Sequence, residues 1–167
     1  ILEELETLGF DSIKRDRTGN VIGVLKGDGS EDAILFNCHM DQVDPGDLAA
    51  WEYGPFSGEI AGGYIHGRGA SDTKGTIATQ IYTAALLKKL GVQLKRDLIF
   101  TFVVEEEPGD MWGALRLCQD ELKDKGLPTA YPASPQGWIL PLDTGAGWRF
   151  RLFPRGRTAI PALPGWE

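Results

Sequence analysis

Asp72 stands in 64-YIHGRGASDTKGTIATQ-80, crowded by Gly67, Gly69, Gly75, Arg68 and Lys74 just ahead of a helix-forming run. Glycine loses more backbone freedom on folding than any other residue, so such a cluster signals positive φ angles or a backbone packed close to something. Two occupants fit: a phosphate, or a metal ion held by Asp72. The phosphate reading is weak. A G-x-x-x-x-G-K-[ST] loop needs Gly before the lysine and a hydroxyl after it, where Thr73 and Gly75 stand, and G-x-G-x-x-G would need glycine at position 72.

Two further stretches carry metal-capable side chains. In 33-AILFNCHMD-41 the residues His39 and Asp41 are two apart on a strand, so both can face one site. A ligating imidazole needs its second ring nitrogen held by a carboxylate or carbonyl, which a neighbour such as Asp41 can supply. A histidine simply satisfied at a strand end is the competing reading. In 105-EEEPG-109 three adjacent carboxylates repel one another, and burying them without a cation would cost several kcal/mol each. A solvated turn also explains such a run; the wholly apolar stretch leading into it favours a metal.

The elements that must position these residues follow from pattern. Apolar residues at 1, 2, 5 and 8 predict a short helix ended by Gly9. Segments 20–27 and 33–41 read as strands joined by the turn Gly27-Asp28-Gly29-Ser30, and the nearly continuous apolar run of the second predicts a strand covered on both faces. Residues 44–63 read as a Pro/Gly-rich loop. A helix is predicted over about 74–90, stopped at Gly91, with Ile77, Ile81, Ala84, Ala85 and Leu87 or Leu86 inward. A buried strand over 97–104, a helix at about 112–124, a loop over 127–137 and a short strand over 138–140 come next. Residues 147–160 alternate Trp148, Phe150 and Leu152 with Arg149 and Arg151, as in a half-exposed antiparallel strand. Strand–helix alternation makes the class α/β with a mostly parallel core, and ligands of such sheets sit at the carboxyl ends of strands.

The 167 residues suffice for one domain with a real core. A net charge of −7 without a basic run argues against nucleic acid or an anionic membrane surface as partner. No apolar stretch approaches the roughly 20 residues of a membrane span. The first residue is not Met, so the true start lies elsewhere on this reading. Two cysteines make a poor disulfide framework, and a reducing, cytoplasmic compartment is expected. A cysteine hydrolase built on Cys38 and His39 fails, because adjacent strand residues face opposite ways.

Together, 38-CHMDQV-43, 51-WEYGPFSGEIAGGYIHGRGASDTKG-75, 105-EEEPGDMWGA-114 and, more weakly, 139-ILPLDTG-145 resemble the catalytic domain of the co-catalytic zinc peptidases and amidohydrolases, the family of carboxypeptidase G, acetylornithine deacetylase, succinyl-diaminopimelate desuccinylase and aminoacylase. The resemblance implies a three-layer α/β/α catalytic domain and hydrolysis of an amide bond in a peptide or N-acyl amino acid. It implies two zinc ions, with cobalt or manganese also suited to the donors. His39 would bind one metal with Asp41 beside it modulating the ligand, and Asp72 would bridge both. Glu106 would be the general base and Glu107 a ligand of the other metal, with Glu105/Glu106 as the alternative register. Asp143 is the candidate for a further carboxylate on the His39 side. The family pattern also places a cis peptide at Asp72-Thr73, and family members form homodimers.

The sequence departs from that pattern in two places. The family's remaining zinc ligand is a histidine near the end of a much longer chain, whereas only His39 and His66 occur here, and His66 is expected to pack at a strand end. The tail resembles the first strand of an inserted dimerisation (lid) domain, with Ile160 where the family has histidine. Residues 1–145 are therefore expected to form a partial catalytic domain, incomplete at its C-terminus, and 146–167 the start of the lid. Activity of this chain is expected to be weak or absent. The alternative is a catalytically dead metal-binding or interaction module on the same fold.

Overall fold

A computed structural model describes residues 1–30, 33–109, 111–122 and 139–141. The chain opens with α1 (Leu2–Thr7), followed by β1 (Ser12–Arg15), β2 (Val21–Leu25) and β3 (Ile34–His39). A hairpin of β4 (Glu59–Ala61) and β5 (Tyr64–His66) precedes α2 (Gly75–Lys89). Then come β6 (Leu98–Val103), α3 (Trp112–Arg116), which continues as a wider turn over Leu117–Leu122, and β7 (Ile139–Pro141).

Among the described residues five strands form one sheet in the order β1-β2-β6-β3-β7. The class is α/β as expected, but the sheet is mixed. Among the described residues only β3 and β6 run parallel, in register from Ile34↔Leu98 to His39↔Val103. The pairs β1/β2, β2/β6 and β3/β7 are antiparallel. The expectation of a mostly parallel core rested on strand–helix alternation, yet β1 and β2 follow one another without a helix and so form an antiparallel pair. Likewise β2 and β3 are not neighbours joined by the Gly27–Ser30 turn. β6 inserts between them, Leu98 lying opposite both Leu25 and Ile34, and Gly27 instead donates its amide to Asp97 Oδ1 at 2.9 Å.

All six side chains of β6 are buried, which explains a run that is apolar except for Thr101, whose hydroxyl donates to Asn37 Oδ1 at 2.7 Å: a central strand covered on both faces has no side turned to solvent. Phe100 and Phe102 face α1 and α2, in a cluster with Leu5, Phe10, Cys38, Ile77, Ile81 and Ala84. Phe36 stacks on Phe100 at 4.9 Å between ring centres, and Phe10 meets it edge-on at 5.7 Å. Ile99 packs on the opposite face with Ala33 and Leu35, and Val103 with Met111, Ala114 and Leu117 from α3 and its continuation. Helices thus lie on both faces of the sheet, the three layers expected.

Helix α2 matches its sequence pattern closely. Ile77, Ile81 and Ala84 are buried, Ala85 and Leu87 half-buried, and Leu86 exposed. Gly91, at φ +64°, ends it; the amides of Gly91 and Val92 close onto the carbonyls of Lys88 and Leu87. The stretch read as a loop over 44–63 contains β4, whose turn into β5 is Gly62-Gly63 with both φ positive, a hairpin signal. The loop expected at 127–137, the strand expected at 147–160 and the 146–167 segment lie outside the described residues.

Candidate metal centre

His39 is the last residue of β3, and the chain beyond β6 enters the glutamate run. These two parallel neighbours end side by side, so whatever follows them shares one edge of the sheet. The Met40 amide donates to the Val103 carbonyl at 2.7 Å, carrying the pairing one step past the strand. Glu105 then takes φ +56°, in the left-handed region, and its side chain is exposed, whereas Glu106 and Glu107 are half-buried.

Asp72 arrives from the third direction. Gly69 has φ +76°, and Asp72 and Thr73 break from helical geometry, with a cis peptide between them as the family pattern implied. A side chain at Gly69 would collide with the Gln42 amide group, and one at Gly75 would approach the Ala70 carbonyl oxygen at 2.9 Å. The glycines are there because the backbone folds tightly on itself before α2.

His39 is 5% exposed. Its Nδ1 lies 3.0 Å from the Asp41 carbonyl oxygen and its Nε2 3.0 Å from Asp72 Oδ1. A carbonyl only accepts, so Nδ1 donates and Nε2 is the nitrogen left for a ligand. Asp41 reaches further: its Oδ2 accepts the amide hydrogens of Glu106 and Glu107, at 2.9 and 3.0 Å. Donor atoms of His39, Asp72 and Glu107 lie within 4.8 Å of one another. Burial pulls the His39 imidazole down, but the Asp72 hydrogen bond, the Asp41 carbonyl and the charges of Glu106 and Asp72 together carry it above its ordinary value. Burial raises Glu106; His39 opposes the rise, while Glu107, Asp41 and Asp72 add to it. No Lys or Arg ion-pairs with these four carboxylates among the described residues. One imidazole nitrogen and two carboxylate oxygens converging without a cation fit a divalent metal.

Of the residues singled out from sequence, His39, Asp41, Asp72, Glu106 and Glu107 therefore come together, Glu105 turns outward, and Asp143 lies outside the described residues. His66 stays away: its Nε2 lies 3.2 Å from the Ala61 carbonyl oxygen and its ring packs on Tyr53 at 4.5 Å. Sequence reasoning missed a buried pair, Asp16 and Asn20, which ties the β1–β2 turn to Val104 and Gly113. Only the turn character of 16-DRTGN-20 hinted at it.

Residues 35–141 match the peptidase family M20/M25/M40, and the chain belongs to this family. Similar sequences include the uncharacterized protein YgeY of Escherichia coli, 36% identical over 110 residues, covering 66% of this chain and 27% of that protein. The N-formyl-4-amino-5-aminomethyl-2-methylpyrimidine deformylase of Bacillus subtilis is 35% identical over 120 residues, covering 69% and 28%. A succinyl-diaminopimelate desuccinylase of Bradyrhizobium is 42% identical over 87 residues, covering 52% and 23%. Among solved structures, an M20 family metallo-carboxypeptidase from Sulfolobus solfataricus superposes with a TM-score of 0.60 at 26% identity, over 65% of this chain and 25% of that one. Human carnosine dipeptidase 1, 22% identical with a TM-score of 0.61 over 72% and 28%, shares the fold. The match spans at most 28% of the length of these relatives.

Proposed function

We propose that this chain carries metal-binding and proton-transfer residues of an amide-bond hydrolase acting on a peptide or an N-acyl amino acid. The observation that carries the reading is the convergence of His39, Asp72 and Glu107 within 4.8 Å in a chain of the M20/M25/M40 family. The deformylase, desuccinylase and metallo-carboxypeptidase among the relatives support the substrate class.

His39 would hold one zinc and Glu107 the other, with Asp72 available to both, and Asp143 would add a further carboxylate on the His39 side. Cobalt or manganese suit the same donors. When bound, the metal supplies Lewis acidity toward the scissile carbonyl and the attacking water. Glu106, half-buried beside Glu107, would take a proton from that water and return it to the leaving amine. Asp41 acts through its neighbours: its carbonyl fixes the His39 ring, and its carboxylate holds the two glutamate amides.

Weak turnover by these residues alone belongs to the same proposal, since His66 is engaged elsewhere. So do a homodimer, residues 1–145 as a partial catalytic unit, and 146–167 as the start of a lid. A cytoplasmic, reducing setting agrees with the buried free thiols Cys38 and Cys118. Among the described residues no helix is long and apolar enough to cross a membrane.

The test is an assay of zinc-loaded protein on dipeptides and on N-acetyl, N-formyl and N-succinyl amino acids, with Glu106→Gln alongside. Slow cleavage is expected, reduced about 100-fold or more by Glu106→Gln at unchanged zinc content. Cleavage that ignores Glu106→Gln would remove Glu106 from its role, and no cleavage of any compound would contradict the hydrolase reading for this chain.

A further inference from the structure

We propose that Asn20 is a positioning residue that sets the two ends of the loop carrying Glu106 and Glu107, an inference that rests on the hydrolase reading above. Asn20 is 0% exposed and sits immediately before β2, alongside the end of β6, where Val21 pairs with Phe102. Both polar atoms of its carboxamide are engaged. Oδ1 accepts the Val104 amide at 3.0 Å, at the exit of β6. Nδ2 donates to the Gly113 carbonyl at 2.8 Å, at the start of α3, and to Asp16 Oδ2 at 2.7 Å. One side chain therefore holds the residue where the glutamate loop leaves the sheet and the residue where it rejoins the helix.

Asn20 is itself held. Asp16 Oδ1 accepts the amides of Thr18, Gly19 and Asn20 at 2.8, 2.8 and 2.9 Å, a closed turn around a carboxylate that is 8% exposed. The junction it grips is close-packed: a Cβ at Gly113 would overlap the Val104 carbonyl oxygen and come within 2.8 Å of Asn20 Oδ1. From the other side, Asp41 Oδ2 holds the amides of Glu106 and Glu107. The loop is fixed at both ends by Asn20 and at its crest by Asp41. Outer partners of this kind set where a ligand carboxylate stands, and their loss weakens metal binding without removing a ligand.

Asn20→Leu keeps the approximate size and removes the Nδ2 donations and the Oδ1 acceptor without adding a charge; Gly113→Ala disturbs the same junction without touching the Asp16 turn. In either variant, amide exchange at Val104, Glu106 and Glu107 should speed up about tenfold or more relative to β3 and α2. Zinc should bind about tenfold more weakly or worse, and the visible spectrum of the cobalt(II)-loaded protein should change. Where hydrolysis is measurable, kcat should fall with KM preserved. Uniform loosening of the whole fold, or a loosened loop with native zinc affinity and cobalt spectrum, would overturn the proposal. Should neither variant fold, exchange in the unmutated chain decides: the amides of Thr18, Gly19, Asn20, Val104, Glu106 and Glu107 must open together, and independent opening overturns it. An unmutated chain that binds no zinc would count against the hydrolase reading, while the exchange pattern would still decide whether Asn20 braces the loop.

Discussion

His39 Nε2 and Asp72 Oδ1, 33 positions apart in the chain, meet at 3.0 Å. His39 is fixed by the end of a core strand and Asp72 by a glycine-lined bend before α2. Neither reaches the other by local propensity; the sheet and the packing of α2 on it bring them together. Asp41 adds the third segment by holding the amides of Glu106 and Glu107. Three segments of chain are thus tied into one acidic cluster before any metal is considered.

Asp41 gives the first prediction. Asp41→Ala removes a charged acceptor from two amides, and hydrogen bonds to charged groups contribute roughly 1.5–3 kcal/mol. Relief of repulsion among the carboxylates offsets part of this, so urea denaturation of metal-free protein should show a net loss of about 1–3 kcal/mol. Asp41→Asn retains an acceptor oxygen and should lose less. Equal losses would mean that the contact needs the carboxylate's charge, and no loss in either variant would mean that the contact to the glutamate amides contributes nothing.

The buried thiols give a prediction in pH. Burial pushes Cys38 up from 9.0 to about 11, against a lowering contact from Gln80, and burial alone pushes Cys118 to about 11. A raised thiol pKa means the folded state keeps its proton where the unfolded chain has released it. This contribution to stability is complete below about pH 9 and is lost as pH rises toward about 11. The Tm of the native sequence should therefore fall more steeply between these values than that of a Cys38→Ala/Cys118→Ala protein. Iodoacetamide at pH 8 should label neither thiol until the protein is unfolded; rapid labelling of folded protein would show that they are accessible.

Phe102 anchors the core prediction. It is 0% exposed on the central strand, between the helices and the sheet interior. Phe102→Ala should cost about 3–5 kcal/mol, read from the urea midpoint at constant slope. Phe56→Ala, at a residue 75% exposed, should stay within about 0.5 kcal/mol of the native protein.

Much of this was legible in the sequence where one residue type has one physical use. The apolar runs before His39 and before the glutamates could only be buried strands, and the 3.6-residue spacing of Ile77, Ile81 and Ala84 could only be a packed helix face. Strand order was not legible, because β6 enters between β2 and β3 from more than 70 positions beyond β2, and no local signal encodes that pairing. Strand β1 escaped notice since its side chains are mostly exposed and show no apolar alternation. The glutamate register was ambiguous in a run of identical side chains; the left-handed turn at Glu105 separates them in space. Asn20 was invisible because its partners, Val104 and Gly113, are over 80 positions away.

Whether His39 and Asp72 hold a metal is settled by zinc content per chain after loading and extensive dialysis, for the native sequence, His39→Ala and Asp72→Ala. At least one tightly held zinc is expected in the native chain and its loss in both variants, with far-ultraviolet circular dichroism unchanged. A folded native chain that retains no zinc, or variants that retain as much as the native chain, would contradict this.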